Sequence, residues 1–146
     1  MRLAAHGIRV ELPQSWEGRI VRRGEAPATL HAANFALPAE DSDFGTSAVA
    51  NMPADGVLVV LTEYESDLAG SALFAARGLP APLPGDAARP ETLVRRLPGQ
   101  AGVQRFFTHA GRAFCLYVVV GSVESRAKLV GHANALLRNV AIEALP

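Results

Sequence analysis

The stretch QRFFTHAGRAFCLYVVVG, residues 104–121, carries two side chains that together can perform nucleophilic chemistry, the thiol of Cys115 and the imidazole of His109. A nucleophilic cysteine needs a pKa lowered by a helix N-terminus or a cation, and enough exposure to meet its substrate. Cys115 instead stands mid-strand between Phe114 and Leu116. His109 falls at a predicted turn, about three residue pairs away along the strand. The pattern therefore predicts a buried thiol that packs and does not react.

Motifs for metal binding and hydrolysis are missing from the sequence. The acidic segment 40–45, EDSDFG, resembles part of a calcium loop, but Met52 stands where the bidentate glutamate would be. Neither the GxSxG of a serine hydrolase nor a glycine-rich phosphate loop occurs. The histidines fall in four different predicted elements, without the spacing of metal ligands: His6, His31, His109 and His132. We therefore predict no catalytic residue, no metal and no cofactor.

The charged residues suggest solvated positions. Glu63 and Glu65 could present two carboxylates on one strand face, but without an acid/base partner we expect them at a solvent-facing edge. Fourteen basic and fourteen acidic residues give a net charge of zero, hence no general attraction to nucleic acid or to an anionic membrane. Thirteen of the basic residues are arginine, which we interpret as compositional bias and not as a binding surface.

Length and composition predict one domain over residues 1–146, with a hydrophobic fraction of 49% that suffices for a core. A single cysteine excludes an intramolecular disulfide. The N-terminus has no signal-peptide pattern. The longest apolar run, residues 113–121, is far shorter than the roughly 20 residues that cross a bilayer. We expect a cytoplasmic protein without membrane insertion.

Alternating and β-branched apolar patterns predict most of the strands. They fall at residues 7–13, 18–23, 28–37, 57–64, 103–108 and 113–120. The last two form a hairpin in which Gly111 supplies a positive φ at the turn. Because its second strand is apolar on both sides, we expect the hairpin, residues 103–109 and 112–121, to be the centre of the sheet.

Residues 122–138 form the clearest helix, with one apolar stripe at helical spacing. The stripe consists of Arg126, Leu129, Val130, Ala133, Leu136 and Leu137. Shorter helices are predicted at 46–52 and 67–78, and an edge strand at 141–145. The proline-rich segment 79–90 is expected to be an extended surface loop. The fold class is therefore α+β, a mainly antiparallel sheet covered by helices.

The segment 7–18, GIRVELPQSWEG, resembles the opening of Mog1/PsbP-like domains, which often begin with a strand of the pattern apolar-x-apolar-Pro-x-x-Trp. The C-terminal order of hairpin, helix and strand is similar too. The resemblance implies an α/β/α sandwich that binds and does not catalyse. Members of that superfamily include a small-GTPase-binding protein, a photosystem II subunit, lipoproteins and chaperones of secreted effector proteins. No family site residue has a counterpart in this chain.

The leading hypothesis is a non-catalytic adaptor or chaperone that binds another polypeptide or a second copy of itself. Apolar residues in predicted loops are the candidate partner-binding surface, although they could equally cap the core. These residues are Phe44, Leu68, Leu73, Phe74, Leu79 and Leu83. A second hypothesis is a small-ligand binder or enzyme with a pocket at one end of the sheet, built from Arg105, Arg112 or His109. A third is a self-assembling structural subunit.

Overall fold

Eight strands in two antiparallel sheets and two helices form the structure, a computed structural model that describes residues 1–146. The strands are β1 (Arg2–Ala5), β2 (Ile8–Glu11), β3 (Glu17–Val21), β4 (Thr29–Ala33), β5 (Val57–Tyr64), β6 (Ala101–His109), β7 (Arg112–Val120) and β8 (Val140–Ile142). The helices are α1 (Thr46–Ala50) and α2 (Arg126–Leu137). The single-domain α+β class predicted from the sequence is confirmed.

The larger sheet has the strand order β3-β4-β5-β7-β6. The β6–β7 hairpin turns through Ala110 and Gly111, both with positive φ, as the sequence predicts for Gly111. The prediction that both hairpin strands are central is wrong for β6, because β7 pairs with β5 on its other side and leaves β6 at the edge. Backbone bridges from Arg77 and Arg89 cover parts of that edge, which limits its exposed hydrogen-bonding groups.

The smaller sheet has the order β1-β2-β8 and contains both the first and the last strand. The predicted last strand is present, although it is three residues long and pairs with β2. The strand β1 is not predicted by the sequence, because RLAA has no clear alternation of apolar and polar residues. Trp16, which follows β2 and Pro13, packs partly buried against the main core.

The main core lies between one face of the larger sheet, the smaller sheet and α2. The apolar stripe of α2 is confirmed, since five of its predicted members are buried: Leu129, Val130, Ala133, Leu136 and Leu137. The helix begins at Arg126 and not near residue 122. One face of the sheet is thus covered by a single helix together with three short strands.

A smaller second core lies on the opposite face, under α1 and irregular segments. Tyr117 is buried there, and its hydroxyl accepts a hydrogen bond of 2.7 Å from the backbone N–H of Val94. The helix predicted at 67–78 is wrong: two single 3-10 turns, Ser66–Leu68 and Ala72–Phe74, are separated by Gly70 at φ 76°. Segment 79–90 is an irregular connection until a third 3-10 turn begins at Pro90, but the prediction of a surface loop is wrong in part, because Leu83 and Ala88 are buried in the main core.

Candidate functional site

Cys115 is buried in the larger sheet, as the sequence predicts. Burial raises the pKa of its thiol to about 12, and a backbone hydrogen bond from Arg105 offsets only part of this effect. At neutral pH the thiol is therefore protonated. A protonated thiol without solvent exposure cannot act as a nucleophile.

The native protein should resist labelling by an aromatic disulfide reagent at pH 8, while the chain unfolded in guanidinium should be labelled stoichiometrically. The physical reason is that the raised pKa favours the neutral thiol in the folded state, so reaction requires unfolding. Absorbance of the released thiolate measures both rates. Rapid stoichiometric labelling of the native protein would contradict the buried, unreactive thiol.

Arg112 and Glu63 form a buried ion pair that sequence reasoning missed. The guanidinium donates from Nη2 to Oε1 at 2.8 Å and from Nε to Oε2 at 2.9 Å, with side-chain exposures of 3% and 6%. Two of its nitrogens also donate to backbone carbonyls, Nη2 to His6 and Nη1 to Glu143, each at 2.8 Å. The prediction of Glu63 at a solvent-facing edge is therefore wrong.

We call this arrangement the Arg112 clasp, because it joins the smaller sheet to the larger one. His6 lies in the β1–β2 turn and Glu143 directly follows β8, whereas Glu63 belongs to β5. Gly7 is required beside it, since a Cβ there would lie 2.5 Å from Nη1 of Arg112. Arg112 is therefore committed to structure and is not free to bind a ligand.

A cleft of about 670 Å³ lies between the outer face of β3 and β4 and the acidic segment 39–43. We call it the Arg19–His31 cleft. Its lining includes Arg19, Val21, Arg23, Thr29, His31, Asp41 and Asp43. Arg19 and His31 are direct cross-strand neighbours in the β3–β4 pairing, so both side chains lie on the same face of the sheet.

Hydrogen bonds from the sheet hold the acidic segment over the cleft. Arg19 donates from Nη1 to the carbonyls of Pro38, at 2.5 Å, and Ala39, at 3.2 Å. His31 Nε2 lies 3.0 Å from the carbonyl of Asp43. Because a carbonyl only accepts, Nε2 carries the proton of that bond.

Two buried atoms of this cleft have no hydrogen-bond partner in the protein, Nη2 of Arg19 and Nδ1 of His31. Burial lowers the pKa of His31 below its usual value, and this outweighs the opposing hydrogen bond to Asp43. At neutral pH the ring is uncharged, so Nδ1 is a bare acceptor. Two residues that line the cleft therefore carry one unpaired donor and one unpaired acceptor.

The carboxylates that line the cleft are mostly committed to structure. Asp41 accepts backbone N–H bonds from Ser42, Ser47 and Ala48, which anchors the start of α1. Burial raises the pKa of Asp41, but these three bonds together outweigh burial and lower it. Glu63 is paired with Arg112. Asp41 and Glu63 are therefore not free to exchange a proton, as a general acid or base must be.

The six apolar residues predicted to bind a partner do not form one surface. Phe74 and Leu83 are buried, with 2% and 5% exposure, and Leu79 is partly buried against the main core. Phe44 packs edge-on against Tyr117 in the second core, with ring centroids 5.8 Å apart. A partner could not contact the two buried residues without local unfolding, which contradicts that part of the prediction.

Leu68 and Leu73 are the two of these residues that are exposed, by 38% and 60%. The residues suggested for a ligand pocket are not gathered into one site either. Arg112 belongs to the clasp, whereas Arg105 lines a different hollow beside β6. His109 lies at the end of β6 and lines neither cleft nor hollow.

Comparisons with protein-family models, with curated proteins and with solved structures found no match to this chain. The Mog1/PsbP-like resemblance therefore stays a prediction. Neither helix has the length and apolar character to span a membrane; the longer one, α2, has 12 residues.

Proposed function

We propose that the protein is a non-catalytic binding domain that takes a small polar molecule into the Arg19–His31 cleft. The observation that supports this proposal is the unpaired donor and acceptor, Nη2 of Arg19 and Nδ1 of His31. More than about 90% of buried polar groups in proteins are hydrogen-bonded, and an unsatisfied one costs about 1–3 kcal/mol. A ligand that satisfies both atoms would offset this cost.

The two atoms define the chemistry of the ligand. A hydroxyl or carboxamide group can accept from a guanidinium and donate to an imidazole nitrogen at once. A carboxylate can only accept hydrogen bonds. Its lone pairs would therefore face the lone pair of Nδ1 and leave that atom without a donor. Val21, Ala26 and Pro27 provide an apolar wall for the rest of the molecule.

Ligand entry requires a movement of the acidic segment 39–43, because each of the two atoms exposes less than 1 Å². The contacts of this segment with Arg19 and Arg23 include exposed hydrogen bonds and an ion pair of 3.6 Å between Arg23 and Asp43. Exposed ion pairs contribute about 0–1 kcal/mol, so the Arg23–Asp43 pair adds little to the cost of opening.

Benzamide and benzoate form a matched pair of probes for this cleft. We expect benzamide to perturb the backbone amide signals of residues 29–31 and 39–43 in an NMR titration at neutral pH, and benzoate to perturb them less. The substitutions Arg19→Gln and His31→Phe should each abolish the benzamide response, because each removes one of the two unpaired atoms.

Arg2→Gln is the control, since Arg2 lies in β1 outside the cleft. All variants are first compared by thermal melting, so that loss of binding is separated from loss of folding. Equal benzamide responses in Arg19→Gln and in the wild-type protein would rule out the cleft as the binding site.

A protein-binding role, as a cytoplasmic adaptor or chaperone, is the second proposal. Its support is the exposure of Leu68 and Leu73 on neighbouring 3-10 turns. As part of this second proposal, we propose that the fold is a Mog1/PsbP-like sandwich. Two features support it: Pro13 and Trp16 follow β2, and β8 follows α2. Light scattering would distinguish binding of a second copy from binding of another polypeptide, because self-association gives the purified protein a mass well above 15.4 kDa.

A further inference from the structure

Three arginines from three different parts of the chain surround a hollow of about 540 Å³. Arg89 lies in the connection before the last 3-10 turn, Arg105 in β6, and Arg126 at the first position of α2. We call this the arginine hollow. It shares no lining residue with the Arg19–His31 cleft, and therefore does not depend on the function proposed for that cleft.

The charge of these arginines is not neutralised within the protein. None of the three forms a salt bridge, and the side chain of Arg89 makes no hydrogen bond. Arg105 and Arg126 donate only to backbone carbonyls, those of Gln104 at 3.0 Å and Ala88 at 3.3 Å. Asp86 is the one carboxylate in the lining, which leaves a formal excess of two positive charges.

The geometry favours a tetrahedral oxyanion. Guanidinium groups bind phosphate with paired N–H donors in a planar fork, and several of them at one concave site raise its positive potential. The hydroxyl of Thr92 is a further donor in the lining. The positive end of the α2 dipole adds to the same potential, because Arg126 is the first residue of that 12-residue helix.

We propose that the arginine hollow binds a phosphomonoester group. Its volume exceeds that of a phosphate ion, so part of the attached molecule also fits. All three arginines line a concave surface, with Arg89 and Arg105 exposed and Arg126 partly exposed, so a phosphate can reach this surface without a change in fold. These three arginines are distant in sequence and come together only in the folded chain.

Phenyl phosphate in low-salt buffer is the probe, and arginine side-chain NMR signals together with backbone amides are the measurement. We expect saturable shifts at residues 86–92, 105 and 126. Arg105→Gln and Arg126→Gln should each weaken binding by roughly tenfold or more, since each removes charge-assisted hydrogen bonds. Arg138→Gln, at the other end of α2, is the matched control and should leave the affinity unchanged.

If Arg105→Gln, Arg126→Gln and Arg138→Gln all weakened phenyl phosphate binding equally, the proposal would be overturned, because the probe would then be attracted to positive charge in general. Shifts as large with phenol, which has no phosphate, would overturn it too. Vesicles of phosphatidylcholine with and without phosphatidic acid identify the source of the phosphate. If the protein sediments with vesicles that contain phosphatidic acid, and Arg105→Gln abolishes this, the ligand is a lipid headgroup. If phenyl phosphate binds but the protein does not sediment with these vesicles, the ligand is a soluble ester. If neither probe binds, the proposal is wrong.

Discussion

Replacing Arg112 with glutamine is expected to lower the free energy of unfolding by about 3–5 kcal/mol, because it leaves a buried charge without its partner. Glu63 is 6% exposed, and the guanidinium of Arg112 supplies both hydrogen bonds to its carboxylate. The same substitution removes the donors to the carbonyls of His6 and Glu143. Denaturation in urea, followed by circular dichroism, measures the change.

Arg9→Gln is a matched control, because Arg9 and Glu143 also lie 2.8 Å apart but are 43% and 58% exposed. Solvent screening should limit its effect to about 0.2–1 kcal/mol. Losses of equal size in the two variants would contradict the assignment of the Arg112 clasp as a buried pair.

Combining Arg112→Met with Glu63→Leu should recover part of the lost stability. No buried charge remains in the double variant, and well-packed apolar replacements of buried ion pairs are often neutral or stabilising. Recovery should be incomplete, since the carbonyls of His6 and Glu143 still lack their donor. A double variant less stable than Arg112→Gln would show that the charge of Glu63 is tolerated alone.

Phe74→Ala is the second substitution with a large expected effect, about 3–5 kcal/mol of destabilisation. The ring is 2% exposed and packs against Tyr64 and Phe106, with centroids 5.3 Å and 5.6 Å away. Its removal leaves a cavity under the 3-10 turn Ala72–Phe74. The midpoint of thermal unfolding and urea denaturation both measure the loss.

Leu73 is the control for this substitution, as the adjacent residue and 60% exposed. Leu73→Ala should change stability by no more than about 0.5 kcal/mol. Partner binding is therefore tested with Leu73→Asp, since Phe74→Asp would unfold the region in any case. If Phe74→Ala were as mild as Leu73→Ala, the aromatic cluster would not hold this segment.

Local pattern was sufficient to predict the elements whose burial follows from their own sequence. The apolar run Val57–Leu61 at the start of β5, the two-sided apolar strand β7 and the stripe of α2 are all buried, as their patterns predict. The burial of Cys115 followed from β7 in the same way. These features need no knowledge of which distant segment packs against them.

Strand order and paired charges could not be predicted, because they depend on contacts distant in sequence. Glu63 and Arg112 are 49 residues apart, and only the pairing of β5 with β7 brings them together. The Arg19–His31 cleft likewise requires the β3–β4 register, which the sequence does not specify. Leu83 was expected at the surface because it lies in a proline-rich loop. That loop instead returns to α2, where Asn134 forms two hydrogen bonds with the Leu83 backbone.

The Arg112 clasp has a consequence for biosynthesis. Ribosomes deliver β1 and β2 before β8. The guanidinium of Arg112 nevertheless donates hydrogen bonds to the carbonyl of His6, between β1 and β2, and to that of Glu143, directly after β8. While a nascent chain still lacks Glu143, the β1–β2 hairpin has no β8 to pair with and Arg112 has one donor unoccupied. The final closure of the fold therefore waits until β8 has left the ribosome, and until then the nascent chain exposes part of its interior to chaperones and proteases.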